Sequence, residues 1–232
     1  MYRYLLTAAL SLLVSPAAAQ TAVGDKPADE LKDVQPSTVV LPALDLQGTT
    51  SVMFATLVRQ VGLSGGVAVS NPECSQAPVG SISIESGMRL DKALSQVVQI
   101  RALSEWQLRD GVVDVLPASI PPLLLVRVHR FEWNVAAPAK EVIVHLFRFP
   151  EVSEAVAKLG LKEAPFEGGA GSICIRDCDQ KPKPETAPKI EEDVTLLTVL
   201  NRIVRAHDRA VWQYSEYRCQ GGVQFSVGIL AE

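Results

Sequence analysis

Two stretches of the chain share one pattern of apolar and polar positions. In residues 81–117 an alternating run precedes a helical pattern, and two further runs follow that are joined at Asp110-Gly111. The apolar side chains of the helical pattern have the spacing of a helix that buries one face: Leu90, Ala93, Leu94, Val97 and Val98. An Asp-Gly pair between such runs is a strong signal for a two-residue β-hairpin. The stretch therefore predicts the order β-α-β-β.

The second stretch repeats this pattern near the C-terminus. Its helical pattern has the same spacing: Leu196, Val199, Leu200, Ile203 and Val204. In both stretches a tryptophan, Trp106 or Trp212, follows the first apolar residue of the helix by 16 positions. Gly221-Gly222 takes the place of the Asp-Gly turn. A generic amphipathic helix explains the apolar stripe but not the tryptophan, so we predict an internal structural repeat.

The residues before the first stretch extend it into a complete unit. Alternation predicts a strand at residues 44–47, helical spacing predicts a helix at residues 49–61, and a short strand follows at residues 67–69. The first predicted unit therefore covers residues 43–119, and the prolines that follow it mark its boundary.

The second predicted unit covers residues 123–232 and opens with a long strand at residues 123–133. Its other elements before the repeated stretch are helices at 138–149 and 152–159, a strand at 173–175 and a solvated Pro- and Lys-rich insertion at about 179–189. The predicted fold class is α+β. It consists of two related βα units whose helices pack on small mixed sheets closed by β-hairpins.

The N-terminus has the features of a cleaved secretory signal peptide. Arg3 supplies a positive charge, Leu5 to Val14 is apolar, and Ala17-Ala18-Ala19 is a small-residue cleavage site. The apolar run is shorter than the ~20 residues that a spanning helix needs, and no later segment is long and apolar enough to span a bilayer. We therefore predict a periplasmic protein that is cleaved after Ala19, with a flexible lead-in at residues 20–42.

The overall charge narrows the classes of partner. The formal net charge is −4, and loss of the first 19 residues makes the chain more acidic by one charge, because Arg3 is the charged residue among them. A mildly acidic surface argues against nucleic acid as the main partner. It gives no support to binding of anionic lipid either.

Four cysteines are candidates for disulfide bonds: Cys74, Cys174, Cys178 and Cys219. An even number in an exported chain favours disulfides over free thiols, and three pairings are possible. Cys174 and Cys178 could instead form a metal site with Cys219 and His207. Export favours the disulfides, so the sequence predicts neither a metal nor a cofactor.

Residues 44–117 resemble the short N-terminal domain that secretins share with TonB-dependent receptors. The matching features are the strand before Gly48, the helix that ends at Gly62, the apolar stripe that starts at Leu90 and the hairpin at Asp110-Gly111. In that family the domain is periplasmic and makes protein contacts, in secretin rings or in signalling to a membrane-bound partner. No barrel, plug or secretin core follows in this sequence. The resemblance therefore implies a freestanding periplasmic module, and it carries over no catalytic residue.

The function predicted from these features is binding of a cell-envelope protein. A small sheet with exposed edges can accept a strand from a partner. The predicted strand at residues 123–133 is the preferred edge, with Leu125, Arg127 and His129 as candidate contacts. The alternative hypothesis is an exported enzyme, possibly hydrolytic in activity, with its site near the glycine-rich loop at residues 168–172 and the cysteines. No catalytic residue can be assigned for it, and His207 is read as a partly buried residue at a helix end.

Overall fold

The computed structural model describes residues 35–71, 79–100, 104–164, 188–219 and 221–230. Within these residues the chain forms ten β-strands and five α-helices, so the α+β class predicted from the sequence is confirmed. Several predicted features lie outside the described residues: the signal peptide, most of the lead-in, the glycine-rich loop, the strand at 173–175, most of the insertion, and Cys74, Cys174 and Cys178.

The first half of the chain contains seven elements. They are β1 (Leu44–Gly48), α1 (Thr50–Gln60), β2 (Ser64–Asn71), β3 (Gly80–Ile84), α2 (Leu90–Gln99), β4 (Ser104–Arg109) and β5 (Val112–Pro117). The hydroxyl of Thr49 accepts a hydrogen bond from the N–H of Val52 and caps α1. Asp110 and Gly111 both have positive φ, as a tight turn between twisted strands requires.

The second half contains the remaining elements. They are β6 (Arg127–Trp133), α3 (Ala139–Phe147), α4 (Pro150–Lys158), β7 (Leu161–Glu163), β8 (Lys189–Thr195), α5 (Leu196–Ala206), β9 (Val211–Cys219) and β10 (Gly222–Ile229). Thr195 caps α5 in the way that Thr49 caps α1, through its hydroxyl and the N–H of Thr198.

The predicted strand at residues 123–133 is wrong in its first part. Pro122–Leu125 forms a 3₁₀ turn, and the strand begins only at Arg127. Two prolines in a row cannot donate to a strand ladder, whereas a proline fits the first position of a helical turn. Leu123 and Leu124 are buried by this turn, and Leu125 is 50% exposed and lies outside any strand.

Strands from both halves form one six-stranded sheet in the order β4-β5-β2-β9-β10-β7. In the first half β5 pairs antiparallel with β4 and parallel with β2, and in the second half β10 pairs antiparallel with β9 and parallel with β7. Each half also has a two-stranded antiparallel ribbon, β1-β3 or β6-β8. The strand pairing of the second half therefore reproduces that of the first.

The two halves meet where β2 pairs parallel with β9, from Gly65 opposite Val211 to Asn71 opposite Tyr217. We call this pairing the joint. It was not among the sequence predictions, which gave each unit its own small sheet. Since the joint is parallel, every strand of the second half runs opposite to its counterpart in the first. One half is thus related to the other by a half-turn about an axis that crosses the strands.

This half-turn places the helices of the two halves on opposite faces of the sheet. Two neighbouring glycines of β2 mark the two faces, because successive residues of a strand point to opposite sides. A Cβ at Gly65 would meet Phe54 of α1, and a Cβ at Gly66 would meet Trp212. One core lies between the sheet and α1 and α2, and the other lies between the sheet and the helices of the second half. β5 is therefore buried on both faces.

Candidate functional site

A buried polar network spans the joint. The indole N–H of Trp212 donates to Oδ1 of Asn201 at 2.7 Å, and Nδ2 of Asn201 donates to a carboxylate oxygen of Asp114 at 2.7 Å. Gly66 lies between Asp114 and Trp212 in the sheet, opposite both of them. Asp114 and Trp212 are fully buried. The network therefore connects β5 of the first half to α5 and β9 of the second, directly above Gly66.

Burial dominates the electrostatics of this network. It raises the pKa of Asp114 from near 3.8 to about 7, although the Asn201 hydrogen bond and the charge of Arg109 act in the opposite direction. The second carboxylate oxygen of Asp114 is buried without a hydrogen-bond partner in the structure. A group closed off from solvent in this way cannot meet a substrate, so we assign the network to the joint and to no reaction.

The first half carries a counterpart of this arrangement. The indole N–H of Trp106 donates to the hydroxyl of Ser95 at 3.0 Å, and Ser95 precedes Trp106 by 11 residues, as Asn201 precedes Trp212. Each tryptophan is therefore held by the helix of its own half. Their surroundings differ, because Trp212 is fully buried against β2 and Trp106 is only half-buried.

The half-buried Trp106 lies on β4, which within the described part of the chain pairs with β5 alone. We call the side of β4 away from β5 the open edge. The turn to β5 has two residues, so the pair next to it, Arg109 and Val112, exchanges backbone hydrogen bonds. Since the direction of backbone groups alternates along a strand, the N–H and C=O groups of Leu108 and Trp106 point out of the open edge.

The candidate contacts predicted from the sequence lie elsewhere, around the start of β6. Arg127 and His129 are exposed on this strand, and Leu125 belongs to the turn before it. Nδ1 of His129 lies 3.0 Å from the carboxylate of Asp193, at a position of β8 where φ is +50°. The assignment of these three residues to partner binding stays a prediction. The open edge of β4 was missed because sequence alone does not show which strands are edges.

One of the four cysteines falls within the described residues. Cys219, at the end of β9, is disulfide-bonded, and its partner lies outside those residues, so the pairing stays open. His207 ends α5, with its ring centroid 6.2 Å from that of Trp133. Among the residues that the structure describes, no three His, Cys, Asp or Glu side chains are grouped closely enough to hold a metal ion.

A shallow depression of about 390 Å³ lies on the outer face of α3. Its lining residues all come from that helix: Lys140, Glu141, Val144, His145 and Arg148. A depression formed by the side chains of one exposed helix positions groups less rigidly than a cleft between elements. It gives no particular support to the enzyme hypothesis.

The comparisons with known proteins give no relative for this chain. No family model, curated protein or solved structure matches it. None of the described helices combines the length and the apolar character that crossing a membrane requires.

The joint makes Gly66 sensitive to a single added methyl group. We expect Gly66→Ala to lower the free energy of unfolding by about 3 kcal/mol, the upper end of what overpacking costs, because its Cβ would overlap the Trp212 indole. Gly80→Ala is the matched control. Gly80 is also in a strand without a positive φ, and its Cβ would lie 3.8 Å from Ile100, an ordinary contact. Urea denaturation of both variants measures the difference, and equal stabilities would contradict the close approach at Gly66.

Proposed function

We propose that this protein is an exported periplasmic module that binds another protein of the cell envelope through a sheet edge and catalyses no reaction. The observation that carries the proposal is the joint, in which one half of the chain binds the edge of the other by parallel strand addition. The corresponding edge of the first half is the open edge of β4. Unpaired backbone groups at such an edge are a ready template for a strand from another chain.

The chemistry of the described residues supports binding over catalysis. Burial raises the pKa of the Asp114 carboxyl and of the Tyr214 phenol, and both side chains are fully buried. Perturbed groups at an active site have to face a cleft that a substrate can enter. The resemblance of residues 44–117 to the short N-terminal domain of secretins and TonB-dependent receptors agrees with a binding role.

Export is the first part of the proposal that can be checked. We expect the protein isolated from the periplasm to begin at Gln20, because the apolar run and the alanines before it have the form of a cleaved signal peptide. N-terminal sequencing gives the answer directly. A mature protein that begins at Met1 would contradict the prediction of a cleaved signal.

The contact surface can be located by site-specific photo-crosslinking in living cells. A photo-crosslinking amino acid is introduced at Gln107, which is exposed on β4, at Arg127, which is exposed on β6, and at Lys158, which is exposed on α4 and serves as the control. We expect a covalent adduct with an envelope protein from Gln107 and none from Lys158. All three variants should melt within a few degrees of the parent, so that a lost adduct reports on contact and not on folding.

The pattern of adducts decides between the proposals. An adduct from Arg127 alone would keep the binding function and move it to β6, as the sequence predicted. Absence of adducts from both strands would overturn the proposed function. The enzyme hypothesis would replace it if the mature protein showed hydrolytic turnover that is lost in a folded His207→Ala variant.

A further inference from the structure

We infer that the open edge of β4 binds an extended segment of its partner in parallel orientation, with a glycine of that segment seated against the indole of Trp106. This inference rests on the proposed function and specifies the chemistry of the partner. Its template is the joint, which shows how this chain completes the same kind of edge within itself.

The joint shows that the strand beside the tryptophan needs a glycine. β2 lies next to β9 in parallel register, and Gly66 is opposite Trp212. A Cβ at Gly66 would overlap Cε2, Cζ2 and Nε1 of the indole, so the ring lies across the backbone of β2 at this residue. A larger side chain there would push the indole away from its hydrogen bond with Asn201. The geometry thus requires glycine at this position of the added strand.

The same geometry is prepared at β4. Trp106 and Trp212 donate through the same indole nitrogen to residues 11 positions earlier, on the helix of their own half. Each tryptophan also lies on the strand that is the outer partner of its hairpin. Since Trp212 lies across the strand added to β9, the indole of Trp106 is placed to lie across a strand added to β4. Its half-buried state is what an unoccupied position of this kind would show.

The differences between the two helices indicate that binding at β4 is reversible. On α5 the buried residues Leu197 and Asn201 lie on the side that faces the joint. The residues at the same positions of α2 are Asp91 and Ser95, which are half-buried and polar. A polar surface keeps an open edge soluble when no partner is present, whereas an apolar one would invite aggregation. This helix face is therefore suited to a partner that binds and leaves.

The strand that completes the joint also supplies the probe. A synthetic peptide of residues 63–71, with the sequence LSGGVAVSN, is titrated into the isotope-labelled mature protein, and amide and indole N–H signals are followed by NMR. We expect saturable shifts of the Trp106 indole and of the β4 amides. The control peptide has alanine in place of its second glycine, the counterpart of Gly66, and should bind about tenfold more weakly.

Orientation is read from a spin label at either end of the peptide. In the parallel arrangement an N-terminal label broadens the signal of Glu105 and a C-terminal label broadens that of Arg109. The reverse pattern would overturn the inference, as would equal binding by the two peptides or no binding by either. In each of those cases an adduct from Gln107 in cells would still support the proposed function, and its absence would remove both.

Discussion

Trp212→Ala is expected to lower the free energy of unfolding by about 3–5 kcal/mol, the range for deleting a fully buried aromatic side chain. The indole fills the space above Gly66 and packs in the core of the second half, and its N–H is bonded to Asn201. Truncation leaves a cavity and also frees a buried polar group of Asn201, and both effects destabilise the folded state. Urea denaturation of the mature protein measures the loss.

Trp106→Ala is the internal comparison for this prediction. Trp106 makes the matching hydrogen bond to Ser95 but is only half-buried, so its truncation removes less buried area and leaves Ser95 accessible to water. We expect a clearly smaller loss of stability than for Trp212→Ala. A third variant, Trp212→Phe, keeps most of the ring and loses the N–H donor, which separates packing from hydrogen bonding. Equal losses for Trp106→Ala and Trp212→Ala would contradict the difference between an occupied edge and an open one.

Local elements with a clear period could be predicted from the sequence. The apolar stripes starting at Leu90 and Leu196 identified α2 and α5, because a helix that covers one face of a sheet must repeat its apolar residues every third or fourth position. The turn at Asp110-Gly111 was identified because its two residues adopt the positive φ that a short hairpin needs. In both cases the cause lies within a few residues of its effect.

β8 escaped prediction because its alternation is masked by charge. Its sequence is KIEEDVT, and Glu191 is buried in it, where the guanidinium of Arg202 on α5 pairs with its carboxylate. A carboxylate is rarely buried unless it is paired, and the partner is distant in sequence. A buried glutamate therefore reads as a surface residue until the fold is known.

The joint and the open edge depend on contacts between residues more than 100 positions apart, which no local pattern encodes. One signal was present in the sequence. Gly65 and Gly66 precede the alternating run at residues 67–69, and glycine inside a strand marks a close approach of another group. The position of the glycines indicates such an approach but not its source, which the structure identifies as Phe54 on one face and Trp212 on the other.

The free energy of unfolding is expected to depend on pH through Asp114. Below pH 4 its carboxyl is neutral in both the folded and the unfolded state and contributes no difference. Between about pH 4 and 7 the unfolded chain loses this proton while the folded protein keeps it, because burial raises the pKa of Asp114 to about 7. The folding equilibrium then falls by up to about tenfold for each pH unit, and the loss levels off above pH 7 at on the order of 4 kcal/mol.

Asp114→Asn isolates this contribution. Asparagine has nearly the same shape, its side-chain oxygen can accept the hydrogen bond from Asn201, and it has no proton to lose. The variant is therefore expected to gain stability over the parent steadily from pH 4 to pH 7 and to keep a constant advantage above that. Urea denaturation at one-unit steps from pH 4 to 8 measures both curves, with Asp208→Asn at an exposed site as the control. The nearby charges of Arg109 and Asp110 are present in both proteins, so they cancel from the difference. Parallel curves for Asp114→Asn and the parent would show that the carboxyl ionises as easily in the folded protein as in the unfolded chain, and that the network at the joint is not closed to water.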